Sequence, residues 1–155
     1  MGTDVENKGR SMTSFTSRYG NPAVDFGAAH LWAYERHGCV VVAASGRIDA
    51  RNLDDITAYA GRYIAPGAAF VLDLSRVTEF TAAAAHLPHA VDGQCAAAGA
   101  DWALVAGDAV LRRLRERTTD LPMPLVDSLA HAESHFDDAV TARRRMLLPL
   151  LGRTA

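Results

Sequence analysis

Polar and apolar residues alternate with the period of a strand over His30–Arg36, and the next segment, Cys39–Ala44, is apolar at every position. A short turn, His37–Gly38, separates the two. Alternation of period two is typical of a half-buried strand, and a continuous apolar run is typical of a central strand with both faces covered. The pattern therefore predicts an antiparallel hairpin at the start of a sheet.

After this hairpin, apolar residues recur at the spacing of a helix. Asp49 or Asn52 is the candidate cap of the helix, which is expected to stop before Pro66. Two acidic residues near its start suit the helix dipole. The apolar positions that recur every three or four residues are Leu53, Ile56, Tyr59 and Tyr63.

The centre of the predicted sheet is the strand Phe70–Leu74, which the chain leaves through a predicted loop, Ser75–Phe80. Thr81 is placed to cap a second helix, Thr81–Ala98, that ends at Gly99. A strand that leads into a helix N-terminus is a common position for a functional site, because free N–H groups and the helix dipole favour an anion there. This helix opens on alanines, so the site offers a surface and a backbone rather than side-chain chemistry.

Two further strands and two further helices complete the pattern. The strands are Asp101–Ala106 and Met123–Val126, and the last helix begins after a cap at Ser128. The helix Ala109–Arg117, capped by Asp108, carries four arginines that are expected to face solvent or to form a rim for an acidic partner. Strand–helix–strand order favours right-handed crossovers. The prediction is an α/β domain: a mixed sheet of about five strands, with about four helices mostly on one face.

The two ends of the chain lack this periodicity. Residues 1–27 carry Ser, Thr, Asn and Gly with scattered charges, and we expect them to be a disordered tail that folding does not need. Residues 28–142 form the predicted domain. Residues 143–155 combine three arginines with a short apolar run and are expected to form a loosely packed C-terminal extension.

Composition narrows the classes of function. A chain of 155 residues that is 49% hydrophobic is long enough for one domain with a core. The net charge of −2 gives no basic field for nucleic acid or an anionic membrane, and the sequence shows neither a signal peptide nor an apolar run of membrane-spanning length. We therefore expect a cytoplasmic protein. Cys39 and Cys95 lie in apolar segments, which favours buried thiols over a redox pair.

Motifs for catalysis are weak. The sequence holds no nucleophile elbow, no dinucleotide-binding glycine motif and no phosphate-binding loop lysine, so we predict neither an enzyme nor a cofactor. Metal-ligand residue types do recur at intervals of three along the second helix. That spacing drifts around a helix of 3.6 residues per turn, and Pro88 disturbs the helix, so we predict no metal site. The residues concerned are His86, His89, Asp92 and Cys95.

Four short segments, in their order and spacing, resemble the STAS domain family, which includes the bacterial anti-sigma-factor antagonists. The resemblance covers about residues 30–141 and implies the STAS fold. The segments, each similar to a motif of the family, are Gly46–Asp49, Val71–Thr78, Asp108–Leu114 and Ala130–Ala139.

The resemblance also implies a function and a contact surface. It implies a regulatory module that binds an anti-sigma factor of the histidine-kinase-type ATPase class, without direct contact to nucleic acid or membrane. Asp49 remains open as a helix cap, a docking residue or both. A STAS-like scaffold or sensor subunit that binds a small ligand or other STAS chains, including a homodimer, remains the alternative. The implied contact residues are Arg47, Asp49, Thr78, Thr81, Ala82, Ala83, Ala84 and His86.

One departure from the family concerns phosphorylation. The resemblance implies a serine or threonine at the start of the second helix that the partner kinase phosphorylates. An alignment without gaps places Ala83 at that position, so the acceptor hydroxyl is missing. Thr81 is the hydroxyl that remains in the first turn, two residues earlier. We therefore predict a binding module without the usual phosphorylation switch, with Thr81 as the one candidate for phosphorylation.

Overall fold

The computed structural model describes residues 23–117 and 123–153. In these residues six strands form one sheet whose spatial order is the order along the chain. β1 to β3 pair antiparallel, and β3 to β6 pair in parallel. The mixed α/β sheet is thus confirmed, with one strand more than predicted. The strands are Val24–Phe26 (β1), Ala29–Arg36 (β2), Cys39–Ile48 (β3), Ala69–Phe80 (β4), Trp102–Ala106 (β5) and Leu125–Val126 (β6).

Four α-helices and one short 3-10 helix cover the sheet within the described ranges. α1, α2 and α3 pack on one face through Ile56, Leu87 and Val110, whereas α4 packs on the other face through Ala132 and Phe136. The prediction that the helices lie mostly on one face is therefore confirmed. No helix in this part of the chain is both long and apolar enough to cross a membrane. The helices are Leu53–Gly61 (α1), Ala83–Ala85 (3-10), His86–Ala98 (α2), Asp108–Arg117 (α3) and Leu129–Arg153 (α4).

The core forms where β3, β4 and β5 lie side by side. Val42 pairs with Leu72, and Leu72 pairs with Leu104, so three branched side chains form a row across the parallel strands. All three are fully buried. Burial of one such side chain stabilises a fold by about 1.5–3 kcal/mol. Helices on both faces explain why the sequences of these strands are apolar at successive positions.

β4 is longer than predicted. Ser75–Phe80 is not a loop, because the strand continues through it and pairs with β3, with Ser45 opposite Arg76 and Arg47 opposite Glu79. Two register shifts lie between the start and the end of this pairing. The polar side chains of the segment are exposed, so its sequence lacks the apolar pattern that identifies the first half of the strand.

Both predicted domain boundaries need correction. β1 pairs with β2 and packs Val24 and Phe26 against the core, so the predicted tail of residues 1–27 includes part of the sheet. Residues 1–22 lie outside the described part of the chain. At the other end, α4 continues across residue 143 to Arg153 without interruption. Residues 143–153 of the predicted extension therefore belong to a helix of 25 residues.

Two of the predicted helix ends, the end of α2 and the start of α4, are found where the sequence placed them, whereas the start of α2 is not. Gly99 adopts a left-handed conformation with φ of 67° at the end of α2, as predicted. Ser128 Oγ accepts the His131 N–H at 3.0 Å, which confirms the predicted cap of α4. α2 itself begins at His86 rather than at Thr81. Pro88 then lies in its first turn, where a missing N–H removes no intrahelical hydrogen bond.

Candidate partner-binding surface

Arg47 is the centre of a charged cluster at the C-terminal end of β3. Its Nε donates a hydrogen bond of 2.9 Å to Asp49 Oδ2, and its Nη1 donates one of 2.7 Å to Glu79 Oε2. The Arg47 side chain is 42% exposed, so the cluster faces solvent while it holds its geometry. The Arg47 guanidinium lowers the pKa of Asp49, because its hydrogen bond favours the carboxylate form. Two predicted contact residues, Arg47 and Asp49, are thus held together.

A buried asparagine positions this cluster. Asn52 Oδ1 accepts the Asp49 N–H at 2.9 Å, and Asn52 Nδ2 donates to the carbonyl oxygens of Phe26 and Arg47. Asn52 occupies the position before α1, yet its side chain makes no capping hydrogen bond to that helix. Asp49 Oδ1 accepts the Arg51 N–H at 2.9 Å, which closes a local turn. Neither candidate cap therefore caps α1, and both side chains shape the loop that follows Arg47 at the end of β3.

A glycine allows β3 to turn toward this cluster. Gly46 has a φ of 90°, and a Cβ placed on it would lie 2.2 Å from the Ala28 carbonyl oxygen. The same oxygen accepts the Arg47 N–H at 3.1 Å. The register shift between Gly46 and Arg47 sets Arg47 opposite Glu79 on β4. Close backbone approach and a positive φ both require glycine at this position.

Thr81 connects the end of β4 to the 3-10 helix. Its N–H donates to the Ile48 carbonyl oxygen at 3.2 Å, and its hydroxyl donates to the same oxygen at 3.3 Å. The hydroxyl also accepts the Ala84 N–H in a long contact of 3.4 Å. Thr81 therefore satisfies one free N–H as predicted, although it does so for the 3-10 turn. Its single hydroxyl proton is directed at Ile48.

Some of the alanines that follow Thr81 lie at the surface, and others are buried in the core. Ala82 is exposed and Ala83 is half-buried, and His86 is exposed one turn further on. Ala84 is fully buried in the core beneath the helix start. The prediction that Ala84 contacts a partner is therefore wrong, because its methyl group packs inward. We use the name partner surface for the candidate contact residues at this end of the sheet that are exposed or half-buried: Arg47, Asp49, Thr78, Glu79, Thr81, Ala82, Ala83 and His86.

Arg113 supports the partner surface from α3. Its Nε donates to the Phe80 carbonyl oxygen at 3.0 Å, and its Nη1 donates to Glu116 at 3.0 Å. A cleft of about 200 Å³ lies between α3 and the segment from Thr78 to Thr81. The sequence predicted Arg113 to be a solvent-facing or rim arginine. Its role in holding the end of β4 depends on the packing of α3 beside β4, which no local pattern reports.

Residues of metal-ligand and redox type on α2 have other roles. Asp92 Oδ1 accepts the Trp102 Nε1–H at 2.9 Å, and Cys95 is buried, with its pKa raised to about 11 by burial. Cys39 is buried in the core on the opposite face of the sheet from Cys95. The two thiols therefore do not form a redox pair. In residues 23–117 and 123–153, no three His, Cys, Asp or Glu side chains cluster closely enough to hold a metal ion.

Two known proteins resemble this chain, one in sequence and one in structure. A protein of Mycobacterium tuberculosis named osmosensory protein A is 38% identical over 150 residues, which cover 94% of this chain and 95% of that protein. The crystal structure of an anti-sigma factor antagonist from Mycobacterium paratuberculosis superposes with a TM-score of 0.58 and 26% identity. That superposition covers 75% of this chain and 94% of the other. The STAS domain family matches residues 30–132, which include β3, β4 and the whole partner surface. The chain belongs to the STAS domain family.

Proposed function

We propose that this protein is an anti-sigma-factor antagonist that binds an anti-sigma factor through the partner surface. The similarity to a solved anti-sigma factor antagonist supports this class of function. The observation that carries the proposal is the ordered Arg47–Asp49 ion pair beside the Ala82–Ala83 turn. The proposed partner is a histidine-kinase-type ATPase, as the family resemblance implies. Such a function belongs in the cytoplasm, where sigma factors meet RNA polymerase.

The chemistry of the partner surface suits recognition of another protein. Ala82 is exposed and Ala83 is half-buried, so their methyl groups provide a small apolar area, and Arg47 with two carboxylates provides charge near it. Charged groups at the rim of an interface set orientation and specificity more than they set affinity. Because Asn52 and Gly46 fix the backbone around Arg47, little side-chain or loop ordering is required on binding.

Binding assays with purified candidate anti-sigma factors test this proposal. Arg47→Glu reverses the central charge and is expected to weaken binding at least tenfold. Asp49→Asn removes one partner of the ion pair and is expected to weaken binding less. Asp54→Asn is the matched control, because Asp54 is exposed on α1 outside the partner surface. If no candidate anti-sigma factor binds, or if Arg47→Glu binds as the wild type does, the proposal fails.

We further propose that binding persists in the presence of ATP. Phosphate adds about −1.5 to −2 charges, and at this surface it would disturb the interface. Ala83 has no acceptor hydroxyl, and the Thr81 hydroxyl is engaged with Ile48 and Ala84. Phosphoryl transfer requires close alignment of the acceptor oxygen, which disfavours a residue two positions away. Thr81 is therefore expected to stay unmodified.

Intact-mass spectrometry after incubation with the partner and ATP tests the persistent binding. The expected result is an unmodified mass and an unchanged affinity. Ala83→Ser is the positive control, because it restores a hydroxyl at the position that the family resemblance implies. Stoichiometric phosphate on Thr81 together with release of the partner would refute the proposal and identify Thr81 as the switch residue.

A sensor subunit is the second candidate function, and the name of the relative from Mycobacterium tuberculosis favours it. That relative is called osmosensory protein A and aligns along almost the whole of this chain. In this alternative the protein signals through the partner surface, and osmotic conditions change the affinity of that surface for the partner protein. Binding measured across sucrose concentrations at constant salt, and across salt at constant osmolality, separates the two. An osmolality effect at constant salt supports the sensor, whereas a pure salt effect indicates screening of the charged rim.

A further inference from the structure

The second half of α4 carries exposed apolar side chains. Phe136 is the last residue between 129 and 147 of this helix that is buried against the sheet. Val140, Met146 and Leu147, which are 45%, 74% and 55% exposed, are the exposed large apolar side chains of the described residues. Apolar residues that cluster on one exposed helix mark an interaction site. We call residues Val140–Leu147 the α4 overhang.

A groove of about 510 Å³ lies beside the overhang at the base of the sheet. α4 forms one wall, and the turns at His37–Gly38 and Gly67–Ala69 form the other. Glu133 is held by Arg36 Nε at 2.5 Å and by His37 Nδ1 at 3.2 Å, and Arg143 is paired with Asp101. These ion pairs tie α4 to the sheet, so the groove is a built feature of the surface.

The groove wall of α4 has a regular pattern of charge. Seven residues of α4 line the groove, and five of them recur at alternating spacings of four and three, which is the spacing of a seam in a helix that pairs with another helix. The seam is acidic in its first part and apolar and basic in its second part. The five residues are Glu133, Asp137, Val140, Arg144 and Leu147.

We propose that a second copy of this chain occupies the groove, with the two α4 helices packed antiparallel. An antiparallel pair brings Asp137 of each copy beside Arg144 of the other, and it brings the two Val140 side chains together near the two-fold axis. A seam with this charge order is complementary to itself only when one helix is reversed, which is the requirement of a two-fold interface. In parallel pairing Asp137 would face Asp137 and Arg144 would face Arg144.

The dimer leaves the partner surface free. The groove lies at Cys39, the first residue of β3, and the partner surface lies at Ile48, its last residue. Ten residues of strand separate the two ends by about 30 Å. The two copies are therefore joined at the ends opposite to their partner surfaces, so one dimer binds two anti-sigma factors if the proposed function holds.

Sedimentation velocity of the full chain over a range of concentrations tests the dimer. The expected mass is twice 16.6 kDa for the wild type. Arg144→Glu and Asp137→Arg each place like charges in both contacts and are expected to be monomers. An equimolar mixture of these two variants is expected to regain the dimer, because every 137–144 contact then joins opposite charges. Arg145→Glu is the matched control on another side of the helix and is expected to stay dimeric.

Three results would overturn the proposal: a monomeric wild type, a dimeric Arg144→Glu variant, or a mixture that stays monomeric. Circular dichroism verifies that each variant is folded, and Val140→Ser replaces any charge variant that is not. The dimer and the proposed function are tested separately, because Arg144 lies outside the partner surface. Arg144→Glu is therefore expected to bind an anti-sigma factor with the affinity of the wild type at each site.

Discussion

The side-chain amide of Asn52 donates a hydrogen bond of 3.0 Å to the carbonyl oxygen of Phe26 and thereby connects β1 to the loop that follows Arg47 at the end of β3. Asn52 is 4% exposed and is the one buried polar residue of the described part of the chain. A buried amide that loses its partner destabilises a fold by about 1–3 kcal/mol. β1 therefore contributes to the partner surface, although it lies in the segment that the sequence assigned to a tail.

Removal of β1 is expected to destabilise the domain. A truncation that starts at Ala28 removes Val24, Phe26 and the acceptor of the Asn52 amide. We expect the free energy of unfolding to fall by about 2–4 kcal/mol, because the truncation removes half-buried side chains and one hydrogen bond. The measurement is urea unfolding of this truncation against one that starts at Ala23. Equal stability of the two would show that β1 is not part of the core.

Gly46→Ala is expected to unfold the protein more easily than Gly67→Ala. Both glycines have a positive φ, so backbone strain is expected to lower the free energy of unfolding of both variants by about 1 kcal/mol or more. At Gly46 the new Cβ also meets the Ala28 carbonyl oxygen at 2.2 Å, whereas at Gly67 no atom lies within 4 Å. Overpacking of this kind adds about 1–3 kcal/mol. Thermal unfolding of the two variants measures the difference, and equal melting temperatures would contradict the close approach.

The Arg47–Asp49 pair is expected to make stability depend on pH. The pKa of Asp49 is lower in the folded protein than its ordinary value of 3.8, mainly because of the hydrogen bond from Arg47. Its stabilising contribution is therefore complete above the unfolded pKa and is lost as the pH falls through the folded pKa. The free-energy difference between wild type and Asp49→Asn should shrink as the pH falls from 7 to below 4. Denaturant unfolding at several pH values measures it, and a constant difference would argue against the pair.

Thr81→Ala is expected to destabilise the protein by about 0.5–1.5 kcal/mol, the usual value of one hydrogen-bonded hydroxyl. The loss comes from the donation to Ile48 and the long contact with Ala84. Thr81→Ser keeps the hydroxyl and is expected to recover most of the loss, which distinguishes hydrogen bonding from packing of the methyl group. If Thr81→Ala unfolds at the denaturant concentration of the wild type, the hydroxyl makes no net contribution.

Local patterns in the sequence determined which segments become helices and strands, because each signal acts within one or two turns of chain. Alternation in His30–Arg36, the cap at Ser128 and the left-handed Gly99 were all predicted and found. The motif at Gly46–Asp49, one of four segments that together resemble the family, also placed Arg47 and Asp49 near each other. These features depend on backbone conformation and on neighbours close in sequence.

Tertiary packing determined the rest, since it brings together residues that no local pattern connects. The second half of β4 is a strand because β3 pairs with its polar residues, and Ala84 is buried because the 3-10 turn rotates it toward the core. Arg113 reaches the Phe80 carbonyl only because α3 packs beside β4. Whether a side chain is buried depends on which helix or strand packs against it, and the whole fold determines that packing.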